Sequence, residues 1–147
     1  MLNIAFDDCY AHPLPEKHRF PMIKYELLPT QLLHEGTCAP EQFFSPKPVH
    51  KETVLRVHST SYYAQLCDLT LSKAEVRGLG FPLSKELVHR EHVIAQGTID
   101  GAAYALEHGI AMNIAGGTHH AYADRSEAFC MLNDQGSEEH TSELQSH

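Results

Sequence analysis

Gly116-Gly117-Thr118-His119-His120 is the stretch of this chain whose residue types best suit chemistry. Imidazole is the side chain whose unperturbed pKa lies nearest neutrality, so a loop carrying a pair of them suits proton transfer or metal binding. Neighbouring residues face opposite sides of a strand and diverge by about 100° on a helix, so both rings can address one ligand only where the backbone bends. Gly116 and Gly117 permit that bend. By residue type alone the pair fits an ordinary surface loop equally well. Other candidates are weaker. Asp7, Asp8, His12 and His18 are irregularly spaced on a proline-broken segment, which favours a solvated loop over a metal site. Glu16 and Arg19 sit three residues apart and read as a structural ion pair. Cys130 with a histidine would make a nucleophile pair, but it lies in an apolar run that should bury it and raise its pKa.

Such a loop needs an element before it and an apolar segment after it. Ile110–Ala115 reads as a short strand, and Phe129 opens the second apolar segment. Before the strand, Val88, His92, Ala95, Ile99, Ala102 and Leu106 recur at helical spacing, giving a long helix from Ser84 to His108 that Gly109 ends. His92 lies on the apolar stripe and reads as a satisfied, partly buried histidine. Gly97 and Gly101, on the other side, suggest close packing against a neighbour. Further upstream, Leu2–Phe6 reads as an opening strand. Pro21–Leu28 suits a helix that Pro29 interrupts, with Gly36 as a later stop. The prolines from Pro40 to Pro48 mark a connecting loop, Thr53–Val57 reads as a strand, and Ser59 can cap a helix through about Leu69. A helix, an apolar strand and a loop at that strand's C-terminal end form the α/β pattern in which ligands bind beyond the carboxyl ends of parallel strands.

Gly116-Gly117-Thr118-His119-His120-Ala121, a polar spacer, then Phe129-Cys130-Met131-Leu132-Asn133-Asp134 resembles the GG-x-HH-A…G-F-C-x-x-N-D signature of the histone deacetylase and acetoin-utilisation family. His12-Pro13 with Glu16 and Arg19 is similar to that family's first active-site loop, and Val57-His58 with Tyr62 resembles its V-H-x-x-x-Y segment. The likeness runs from about Leu2 to Gln135 and departs at Ala128, where the family has glycine. It implies an arginase/deacetylase-like three-layer α/β fold, a parallel sheet flanked by helices, here incomplete. It implies a metal-dependent deacetylase in which a zinc-type ion polarises an acyl carbonyl and activates water. His119 and His120 would be the proton-transfer pair, and Phe129 and Gly117 would line the substrate tunnel. The substrate would be an N-acetylated small molecule or acetyl-lysine. The family's D-x-H metal motif and its transition-state tyrosine are not found, so metal ligands are expected outside this sequence. The chain as given is expected to bind no zinc tightly and to be inactive. The alternative is a non-catalytic binding fragment that uses the GGTHH loop for anion or partner contact.

Composition is compatible with both readings. The 147 residues are 42% hydrophobic and 20% charged, as in a single globular unit or a piece of one. A formal charge of −8 argues against non-specific nucleic-acid binding, which needs a basic surface. No apolar run is long enough to span a membrane and MLNIAFDDCY is unlike a signal peptide, so a cytoplasmic protein is expected. The four cysteines form no C-x-x-C pair and read as free thiols. Residues 1–135 read as the N-terminal part of the deacetylase-like domain. Residues 136–147 have no family counterpart, and SEEHTSELQSH matches the translation of a common sequencing-library adapter. The tail is therefore expected to be non-native, appended to a truncated reading frame, and the remaining piece to be poorly stable alone. Oligomeric state is open.

Overall fold

Three short parallel strands, β1 (Asn3–Ala5), β2 (Phe43–Phe44) and β3 (Ala111–Asn113), form one sheet with β1 in the middle. The computed structural model describes residues 1–136. The presumed adapter tail therefore lies outside the described residues, apart from Gly136. Ile4 stands opposite Phe43 on one side and Met112 on the other. Parallel strands cannot be joined by tight turns, so helices connect them. These are α1 (Lys24–His34), α2 (Lys51–Val54), α3 (Thr60–Asp68), α4 (Lys73–Leu79) and α5 (Lys85–His108). Among the described residues no helix is long and apolar enough to cross a membrane.

The helix α5 is the platform. Ser84 caps its start by accepting from the Leu87 amide at 3.1 Å, and Gly109 ends it with φ +91°. Its buried side, Leu87, Val88, Val93, Ile94 and Ala95, packs into one core with Ile4, Tyr10, Leu66, Phe81 and Met131. The apolar stripe read from the sequence is buried at Val88, His92 and Ala95 but runs out into solvent at Leu106, which is 69% exposed. Gly97 lets the helix meet the sheet. A Cβ built there would lie 2.7 Å from the Tyr10 hydroxyl, 2.8 Å from Asn113 Nδ2 and 3.2 Å from Ala5 Cβ. Those neighbours are fixed, because the Tyr10 hydroxyl donates to Asn113 Oδ1 and Asn113 Nδ2 donates to the Ile94 carbonyl, both at 2.9 Å.

Four local expectations change. Pro29 does not interrupt α1 but sits buried inside it, where tertiary burial outweighs the one intrahelical hydrogen bond its ring removes. Thr53–Val57 is no strand: the His50 carbonyl accepts from Thr53 and Val54, turning the chain into α2, and Val54 enters the core. Five residues, Thr53–Val57, hold no period long enough to separate the two states. The missing strand falls inside the proline-rich connection instead, where Phe43 and Phe44 pair with β1. Glu16 and Arg19 make no ion pair. Arg19 lies over the Phe129 ring, 5.1 Å from its centroid.

The Gly97 contact is checked by substitution. Gly97→Ala is expected to lower stability by about 1–3 kcal/mol despite alanine's better helix propensity. Gly101→Ala, whose Cβ would meet nothing closer than Ala111 Cβ at 3.9 Å, should be neutral or stabilising. Urea unfolding of both variants tests the contrast.

Candidate functional site

At the end of β3 the chain turns away from the sheet, with the Gly116 amide donating to the Asn113 carbonyl at 3.2 Å. Gly117 follows at φ +94°, a left-handed conformation that excludes most side chains. The bend is fixed from a distance. Asp134, fully buried, accepts from the Gly117 amide (Oδ2, 2.8 Å), the Thr118 amide (Oδ1, 2.8 Å) and the Thr98 hydroxyl of α5 (Oδ2, 2.6 Å). Thr118 reciprocates, its hydroxyl donating to the Leu132 carbonyl at 2.6 Å. A buried carboxylate is costly unless its oxygens are satisfied, and charge-assisted bonds to amides are the strong kind.

This clamp presents the two histidines together. Their ring centroids are 4.3 Å apart, tilted by 39°, and both side chains are exposed. His119 Nδ1 lies 2.9 Å from the Gly117 carbonyl. A carbonyl only accepts, so Nδ1 carries a proton, and in the neutral ring Nε2 keeps its lone pair. Asn133 secures the return path, donating its side-chain amide to the Ala121 carbonyl at 3.1 Å and to the His119 carbonyl at 3.4 Å. His58, also buried, bridges the Asn133 amide and the Ala123 carbonyl.

Of the residues singled out in the sequence, the structure brings Gly117, His119 and His120 into one loop. Phe129 packs against Phe20 and Phe81, with tilted rings 5.0 and 5.1 Å apart between centroids. His18 completes that aromatic cluster and donates from Nε2 to the Gly80 carbonyl at 2.8 Å, a structural use. Asp7 likewise serves as a cap, accepting from the Cys9 amide. His92 is satisfied by the Val88 carbonyl and the Tyr63 hydroxyl. Ala128 occupies φ +48° where the family motif has glycine, so its methyl sits in the left-handed region. Cys130 is buried, and burial pushes its thiol pKa up, which disfavours a nucleophilic role. The four cysteines are free, with Cys38 and Cys130 buried and Cys67 exposed.

Sequence reading left Asp134 and Thr98 without roles. Asp134 had a signal, since it closes the N-D end of the motif, whereas Thr98 stands on a helical face with none. The buried pair Arg90–Glu91, 2.6 Å apart, was also silent in the sequence. Arg90 reaches the Tyr10 carbonyl at 2.8 Å and so ties α5 to the loop after β1. Burial pushes the Glu91 carboxyl up, and Arg90 pulls it back down. Among the described residues no three His, Cys, Asp or Glu side chains converge closely enough to hold a metal ion, so these residues do not fit a zinc-type centre by themselves.

A parallel sheet flanked by helices, with a paired-histidine loop beyond the carboxyl end of a strand, places the chain in the arginase/deacetylase fold. The chain belongs to the histone deacetylase domain family, whose model matches residues 14–136. It is 41% identical over 131 residues to an uncharacterised protein of Picosynechococcus sp., a match covering 89% of this chain and 44% of that one. It is 31% identical over 135 residues to Histone deacetylase 1 of Oryza sativa subsp. japonica, covering 84% of this chain and 25% of the relative. Among solved structures it superposes on a histone deacetylase homologue from Aquifex aeolicus with TM-score 0.79 at 19% identity, covering 98% of this chain and 41% of that one. The same TM-score, at 20% identity, is found for such a homologue complexed with SAHA. The chain thus spans less than half the length of these relatives.

Two measurements test the site's construction. Asp134→Asn, which sets an NH2 group against donors, is expected to cost about 2–4 kcal/mol, and Ala128→Gly to gain up to about 1 kcal/mol by relieving the left-handed alanine, both read by chemical denaturation. The second is pH. Burial lowers the pKa of His12, His58 and His92 below the ordinary 6.5, so the stability tied to their neutral forms is full above that value. It is lost as pH falls from there toward the folded values. Glu91, raised above 4.5, acts in the opposite sense, its contribution being full at low pH and lost as pH rises through its folded value. The melting temperature is expected to fall between about pH 7.5 and about pH 5.5, and a rise would show that Glu91 outweighs the three rings.

Proposed function

We propose that this chain supplies the paired-histidine part of a deacetylase-type amidohydrolase site, where an N-acetyl amide is split into amine and carboxylate. The supporting observation is the loop itself, with rings 4.3 Å apart and His119 held in one tautomer by the Gly117 carbonyl. With Nδ1 protonated, His119 offers Nε2 as a base, and its backbone contact fixes the ring's aim. One imidazole takes a proton from the attacking water while the other gives one to the departing amine.

The substrate class proposed is acetyl-lysine or an N-acetylated small molecule, with Phe129 and Gly117 along its path. A zinc-type ion is proposed to have its ligands outside the described residues, and the roles given to the imidazoles concern protons alone. The alternative, a binding fragment that uses the GGTHH loop for anion or partner contact, has fewer amides to offer, because those of Gly117 and Thr118 are already spent on Asp134.

In the complete protein that contains this stretch, His119→Ala and His120→Ala are each expected to lower kcat for an acetyl-lysine peptide by about 10²–10⁴-fold with little change in KM. Unchanged kcat in both variants would refute the reading. The purified 147-residue chain is expected to release no acetate from such a peptide, with or without added zinc.

A further inference from the structure

Among the described residues, two buried imidazoles stand outside the proton-transfer pair. His92 is consumed within the helical layer by Val88 and Tyr63. His58 is different, because it joins two separated points of the segment that carries His119 and His120. Only 4% exposed, it accepts from the Asn133 amide through Nε2 at 3.0 Å, and its Nδ1 lies 3.3 Å from the Ala123 carbonyl. Since Nε2 accepts, the proton is on Nδ1, and the neutral ring donates to one limb of the loop while accepting from the other. Both partners are themselves anchored. The Ala123 carbonyl also accepts from the Ser59 amide at 2.9 Å, and Asn133 holds the His119 and Ala121 carbonyls through its side chain. A protonated ring would set an N–H at Nε2 against the Asn133 N–H, donor facing donor, in a place with little access to water.

We propose that His58 is the positioning residue of the paired-histidine loop, a pH-responsive latch whose neutral form holds residues 119–134 in place and whose protonation releases them. Its catalytic consequence rests on the proton-transfer reading of His119 and His120, whereas the latch rests on hydrogen bonds alone. Among the described residues, the titratable groups around it supply no counter-charge. From α3 the Tyr62 ring faces it at 5.4 Å, and from the loop the carbonyls of Ala123 and Tyr122 oppose the effect of burial. Asp134 is turned toward Gly117, Thr118 and Thr98, while Asp124 and Arg56 are exposed.

Hydrogen exchange read by NMR on the whole chain tests the latch. The Asn133 amide, corrected for its intrinsic rate, should lose protection about tenfold per pH unit once His58 titrates, while α5 amides such as Ile94 hold theirs. His58→Gln, which keeps an acceptor and a donor but does not titrate, should retain the protection and lose its pH dependence. A pH-independent Asn133 amide in the native chain, or the same loss in His58→Gln, would overturn the proposal. Should the variant fail to fold, the ring-nitrogen shifts of native His58 decide instead: a proton on Nδ1 at neutral pH supports the latch, and a proton on Nε2 overturns it. An intact latch in a complete enzyme indifferent to His119→Ala and His120→Ala would refute the functional reading and leave the latch standing.

Discussion

Everything at the mouth of the sheet hangs on the buried carboxylate of Asp134. It gathers an amide pair from the loop and a hydroxyl from α5, so one side chain fixes both the curvature of the loop and its distance from the helix. Each such charge-assisted bond contributes about 1.5–3 kcal/mol, against a desolvation cost of several kcal/mol for the carboxylate. The balance is favourable only when all the donors are present together. Asp134, Thr98, Gly117 and Thr118 therefore act as one unit, and the histidines inherit their placement from it.

The polar contacts extend inward from the site. Thr98, which donates to Asp134, accepts from Asn113 Nδ2 at 2.9 Å, and Asn113 in turn receives the Tyr10 hydroxyl. The network runs from the loop after β1, through the end of β3, across α5 and out to the GGTHH turn. Its members are polar groups packed where a core would ordinarily be apolar, and no buried side-chain nitrogen or oxygen among the described residues lacks a partner. Full satisfaction gives such a network its stiffness, because leaving any one member unpaired costs as much as the bond it made. A loop bearing exposed imidazoles is thereby held by a rigid foundation.

How much of this could be read from the sequence depended on range. The helix α5 was legible from Ser84 to Gly109 because cap, period and stop all lie in one continuous stretch, and the same is true of Ser59 opening α3. The paired-histidine loop was legible from its glycines and its motif. Short elements were not. Phe43–Phe44 is a strand only because β1 lies beside it, and Val54 is helical only because the core receives it. The helix α4 carried a readable signal that went unused, Ser72 and Glu75 forming a reciprocal capping box at 3.1 Å in each direction. Arg19 illustrates the remaining difficulty. Local spacing offered Glu16 as its partner, but the face of Phe129, distant in sequence, took it.

The contact at Gly97 also constrains how this chain can change over time. The hydrogen atom there marks where a hydroxyl from one segment and a carboxamide from another both close on the helix backbone. A methyl at 97 becomes tolerable only if both Tyr10 and Asn113 give way, and the loss of either contact opens the network that reaches Asp134. Positions 10, 97 and 113 should therefore drift as a coupled set among related sequences, with a viable lineage crossing from one combination to another by compensated steps rather than by independent substitutions.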